Sequence, residues 1–136
     1  MTKKQRMKKA LKHWEKIVIV ITKAIEKHKE IRTVDYRKAF TVDDVIYDYS
    51  SFTCPLCYID EDDLGYTKCY NDEEECPIYT DTERNDCNKT PWYIFSSICN
   101  KYDYDLISDL GKKELKEAAQ IEYDYLLNVA YSQGLI

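Results

Sequence analysis

The sequence predicts a mainly α fold: two long terminal helices packed antiparallel, one or two short helices, and a central irregular knot pinned through cysteines. Three observations predict it. Apolar residues recur at helical spacing near both ends, all six cysteines fall between Cys54 and Cys99, and the segment holding most of them is too poor in apolar side chains to fold by burial alone. With 136 residues, 44% of them apolar, the chain is expected to form a single domain over residues 1–136 with a modest core.

The first helix is expected over about residues 3–31. Met7, Leu11, Trp14, Val18, Ile21, Ile25 and His28 follow one another at steps of four and three, and Ala10, Ile17, Ala24 and Ile31 form a second row beside them. The β-branched run Ile17 to Ile21 is a rival strand signal, but the helical register passes through it unbroken. His28 on the stripe and His13 beside it read as packing residues rather than metal ligands. Residues 32–53 read as a connector. Within it Thr41-Val42-Asp43-Asp44 has the form of a helix start, a threonine cap followed by acids, which predicts a short helix through Val45, Ile46 and Tyr49.

Cys54-Pro55-Leu56-Cys57 has the spacing of a metal knuckle, in which two intervening residues let both thiolates reach one ion. Cys69, Cys76 and Cys87 follow. The meaning of these thiols depends on compartment, because cysteines of an exported protein pair as disulfides and those of a reducing cytosol bind metal or stay free. The basic N-terminus leads only into a five-residue apolar run with no cleavage pattern, and no long apolar stretch exists, so a cytoplasmic protein without a membrane span is expected. Structural Zn2+ is then the expected ion, with an iron–sulfur cluster or disulfides as the alternatives. Residues 54–90 would form this zinc knot as an insertion between the helices.

Cys54-Pro55-Leu56-Cys57, Cys76-Pro77-Ile78, Thr82, Cys87 and Thr90-Pro91-Trp92-Tyr93 together resemble a family of small uncharacterised, cysteine-rich proteins of bacteriophages and mobile elements. The resemblance covers about forty central residues. It implies a zinc-binding protein at work in the cytoplasm of a bacterial host. The chain departs from the family pattern in two places: six residues, Tyr70 to Glu75, separate Cys69 from Cys76 where the family has two, and Glu83 stands where the family often has glycine. Set against that pattern, the ligands are expected to be Cys54, Cys57, Cys76 and Cys87, with Cys69 in reserve. Cys99 is read as a buried free thiol.

Thr90 as a cap and Pro91 at the first helical position predict a helix over about residues 91–102. A last helix is expected over about 109–132, after Ser108 and before a Gly134 stop. Its inner face would carry Leu115, Ala118, Glu122, Tyr125 and Val129, flanked by Ala119, Leu126 and Ala130.

Charge divides the chain. Residues 1–16 carry seven Lys or Arg against Glu15 alone, and residues 41–86 carry fourteen Asp or Glu against Lys68 and Arg84, within a formal net charge of -5. No nucleophile elbow or phosphate-binding glycine loop is present and a four-thiolate metal site has no open position, so no enzyme is expected. Two function classes remain. In the first, the acidic, tyrosine-rich centre binds a host protein with a basic surface; the resemblance to bacteriophage proteins implies host takeover or defence inhibition, and the acidic stretch could imitate nucleic acid. In the second, Lys3, Lys4, Arg6, Lys8, Lys9 and Lys12 bind nucleic acid or a nucleotide signal. A homodimer is compatible with either.

Overall fold

A computed structural model describes residues 2–34, 38–49, 90–102 and 105–136. Three helices and a small antiparallel sheet make up this part: α1 (Lys3–Glu26), β1 (Arg32–Thr33), β2 (Ala39–Val42), β3 (Val45–Asp48), α2 (Trp92–Lys101) and α3 (Asp109–Ser132). The two long helices pack together, as their periodicity implies. Lys112, in the first turn of α3, donates from Nζ to the Lys29 carbonyl just past the end of α1 at 2.7 Å, so the start of one helix lies beside the end of the other. The two therefore run in opposite directions.

Helix α1 opens with a capping box: Thr2 Oγ1 accepts from the Gln5 backbone, and the Gln5 side chain accepts from the Thr2 backbone. Its buried face is the row Ala10, Ile17 and Ala24 together with Met7, Trp14 and Ile21, while Leu11, Val18 and Ile25 are only half-buried. The β-branched run stays helical because Ile17 and Ile21 fill the core. The helix ends five residues before the expected limit. Lys29 N–H donates to the Ala24 carbonyl and His28 N–H to the Ile25 carbonyl, a Schellman ending with His28 at φ +54°. His28 is thus an exposed end residue rather than a packing residue on the stripe. Ile31 is buried, but it lies beyond the helix, on the way into β1.

The connector departs from expectation. Instead of a helix through Val45, Ile46 and Tyr49, β2 and β3 form a hairpin with Val42 paired to Val45 across the turn residues Asp43 and Asp44. Both turn residues have positive φ, 52° and 64°, the requirement of the type I′ turn that matches strand twist. Aspartate tolerates that region, and the flanking β-branched residues suit strands. The acids that looked like a helix's first turn therefore form the tip of a hairpin. Lys29 forms an ion pair with Asp43 there.

On its other side β2 pairs with β1, and β1 is met by the α2–α3 link: Ile107 N–H donates to the Ile31 carbonyl at 2.9 Å, and Arg32 bridges to Leu106. Thr33 Oγ1 donates to the Tyr102 carbonyl at 2.6 Å and accepts from Asp105 N–H. Helix α3 starts where its sequence indicates. Ser108 Oγ accepts from Gly111 N–H at 3.1 Å and also bonds the Tyr102 hydroxyl at 3.0 Å. Of the eight inner-face residues expected on α3, only Tyr125 stays partly exposed. Helix α2 begins at Trp92 with Pro91 as its cap and no side-chain cap bond, so the Thr90 cap is not observed; the Thr90 carbonyl accepts from Tyr93 N–H instead.

Candidate interaction site at the root of the cysteine-rich segment

Phe95 of α2 is the hub of an aromatic cluster that joins all three layers. Trp14 of α1 meets it edge-on at 5.1 Å, Tyr49 at 5.2 Å and Phe40 of β2 in a tilted contact at 6.1 Å. Phe40 stacks in turn on Tyr47 at 5.4 Å, and Lys16 lies over the Tyr47 ring. Arrangements of this kind add to the burial of the rings themselves. The cluster matters because Tyr49 and Trp92 stand at the two ends of the chain segment that contains the first five cysteines.

Those ends are clasped. Trp92 Nε1 donates to the Tyr49 carbonyl at 2.6 Å, and Tyr49 N–H donates to the Lys38 carbonyl at 2.9 Å. Tyr49 and Thr90 are both buried. The residues that flank 50–89 in sequence thus meet at one packed place. Lys38 closes the same corner, its ammonium reaching Asn100 Oδ1 at 3.2 Å and Ser96 Oγ at 3.5 Å on α2.

Two titratable groups lie in this corner. Burial pushes the Cys99 thiol up to about 12, against a smaller opposite pull from a hydrogen bond with the Tyr49 side chain and from the Lys38 charge. The thiol is free and 2% exposed, an inert packing group as its helical neighbours implied. Burial also holds the His13 imidazole below the usual histidine range, opposed by its hydrogen bond to the Asp48 backbone and by the Asp48 charge. His13 packs edge-on to Trp14 and is half-buried, as its place beside the stripe suggested.

Cys54, Cys57, Cys76, Cys87 and the reserve ligand Cys69 lie outside the described residues, as does the acidic stretch Tyr70 to Glu75. Among the described residues no cluster of three or more His, Cys, Asp or Glu side chains could hold a metal ion, and no helix is long and apolar enough to cross a membrane. Of the basic residues singled out near the N-terminus, Arg6 is buried at 6% exposure and does not belong to the surface set. Lys4, Lys8, Lys9 and Lys12 are exposed. The clasp itself had a legible trace, since Trp92 follows a proline at a helix start, but its acceptor is a backbone carbonyl and leaves no mark in sequence. The chain matches no protein-family model, no curated protein and no solved structure.

Proposed function

We propose that the protein is a small interaction module, in which a helical core presents the acidic cysteine-rich segment to a host protein with a basic surface. The observation that carries this reading is the clasp between Tyr49 and Trp92, which holds both ends of that segment at one place on a packed core. Presenting a binding segment from fixed ends lowers the ordering cost on association. Between residues 50 and 89 there are eleven Asp or Glu against Lys68, Arg84 and Lys89, with Tyr58, Tyr66, Tyr70 and Tyr79 to supply amphipathic contact area. Residues so charged and so poor in apolar side chains need a cross-link to order. In this reading Cys54, Cys57, Cys76 and Cys87 bind one structural Zn2+ with Cys69 as the reserve ligand, and the module has no enzymatic role. The resemblance to bacteriophage proteins supports host takeover or inhibition of a defence protein, in the cytoplasm of a bacterial host.

The test is capture from bacterial lysate by the full chain and by a variant carrying Glu73→Lys, Glu74→Lys and Glu75→Lys. The expected result is one stoichiometric protein with a basic surface that the variant no longer retains. Retention of the same protein by both, or of none by either, overturns the reading. Metal analysis tests the cross-link separately: about one zinc per chain is expected for a closed four-ligand site. Cys76→Ser and Cys87→Ser should lose it, and Cys69→Ser and Cys99→Ser should keep it. A metal-free protein with three disulfides by mass would refute both the zinc and the compartment.

A further inference from the structure

Six lysines, Lys8, Lys9, Lys12, Lys16, Lys23 and Lys27, are exposed along α1. Lys8, Lys12, Lys16, Lys23 and Lys27 succeed one another at steps of four or seven, with Lys9 alongside, so they stand on one face of the helix. That face is turned away from the buried row Ala10, Ile17 and Ala24. From Lys8 to Lys27 the ridge runs about 28 Å. Among the described residues no acidic side chain pairs with any of the six; Lys16 alone has a partner, the Tyr47 ring.

A solvated surface helix ordinarily mixes its signs, as the exposed side of α3 does with Lys113, Lys116, Glu117 and Asp124. Helix α1 does not. Like charges four residues apart, as in Lys8–Lys12–Lys16 and Lys23–Lys27, destabilise a helix, and the first turn of α1 places basic residues at the positive end of the helix dipole with no acid among them. The chain holds this concentrated positive field on one helix while its net charge is -5.

We propose that the outer face of α1 is a sequence-independent binding surface for the phosphate backbone of duplex nucleic acid. A straight row of ammonium groups suits a rod of dense, regular negative charge, whose condensed counterions are released on contact. Duplex rather than single strand follows from the ridge's chemistry. Unpaired bases are held by stacking on aromatic rings, and the aromatic residue of α1, Trp14, is buried in the core. A lipid surface is disfavoured because Ile19 is the only apolar side chain exposed on the ridge. The surface uses no residue of the cysteine-rich segment and stands whether or not that segment binds a protein.

The test is fluorescence anisotropy with a labelled 20-base-pair duplex of random sequence, a length of roughly two helical turns. Wild type should bind at 50 mM salt (about 0.05 M) with a log–log salt slope of about -4 to -5, as four to six phosphate contacts require. The variant Lys9→Gln, Lys12→Gln, Lys23→Gln should bind at least about tenfold more weakly and lose roughly three units of slope. The variant Lys101→Gln, Lys113→Gln, Lys116→Gln has the same net charge with the changes on other helices, and should bind within about twofold of wild type. Should the first variant not fold, the single changes Lys9→Gln and Lys23→Gln, each expected to remove about one unit of slope, decide the matter. The proposal is overturned if the duplex does not bind at low salt, or if the two triple variants behave alike. Tighter binding to polyglutamate of matched charge, or to anionic vesicles, would also overturn it and identify an acidic protein or a membrane as the partner.

Discussion

At position 13 the fold prefers an uncharged imidazole, because burial opposes the proton more than the Asp48 carbonyl and charge favour it, and Lys16 adds to the opposition. The sign of the consequence follows. Below the ordinary value of 6.5 the unfolded chain takes up a proton that the folded chain resists, so His13's contribution is complete above that pH and declines as pH falls towards the lower folded value. The midpoint of thermal unfolding should therefore drop between pH 7.5 and pH 5.5, intervals of about one unit around the histidine range. His13→Gln should flatten that drop, and identical profiles for the two proteins would refute the assignment. Gly111 makes a second residue-scale prediction. A Cβ there would stand 2.5 Å from Tyr102 Oη and 2.8 Å from Ile107 Cγ2, so Gly111→Ala meets a clash although alanine is the better helix former. Overpacking should exceed the propensity gain, for a net loss of about 1–2 kcal/mol in urea unfolding. Neither property could be read from a single residue type: His13 acquires its shift from burial in the folded chain, and Gly111 its tightness from Tyr102 across a turn.

Helices α1 and α3 close in the same way, with backbone bonds back to Ala24 and Ala130, yet the left-handed residue is His28 in one and Gly134 in the other. A side chain at that conformation costs about 1 kcal/mol that glycine avoids. Thermal melts should accordingly show His28→Gly more stable than wild type and Gly134→Ala less stable, each by about 1 kcal/mol. Nothing lies within 4 Å of a Cβ built on Gly134, so the second effect is one of backbone strain alone. If both changes leave the midpoint unmoved, the endings are frayed in solution. The helices were legible because each repeats its apolar spacing through about six turns, and the Gly134 stop has a residue-type signal. The end at His28 had none, since it depends on Ile31 and Arg32 being drawn into pairing with the α2–α3 link. The hairpin was misread for a related reason. Thr41-Val42-Asp43-Asp44 satisfies a helix-start rule locally, and only the pairing of Ala39–Val42 with both neighbours selects the strand.

For the whole molecule, the described core should not need residues 51–89 to fold. Tyr49 and Trp92 are joined directly, and a link of about six glycine or serine residues easily spans the gap between β3 and α2. A variant so shortened should keep the helical circular-dichroism signal and unfold in one cooperative step. Loss of that step would mean that the excised segment contributes to the core. The sequence reads that segment as an insertion from its composition and its cysteines, an expectation on residues outside those described, while the clasp and the aromatic cluster around Phe95 arise from long-range packing. The expected ligands Cys54, Cys57, Cys76 and Cys87 await the metal analysis, whereas the buried Cys99 follows from its helical neighbours Phe95 and Ile98.

The joined ends at Tyr49 and Trp92 also bear on how freely this protein can change over time. Closing a loop becomes harder only slowly with length, about 0.6 kcal/mol for each doubling. Once the core has fixed both anchors, residues can be added or exchanged between them at little cost to the helices and the sheet. Sequence between the two anchors can therefore vary while the rest of the chain stays under a separate and more stringent selection for folding.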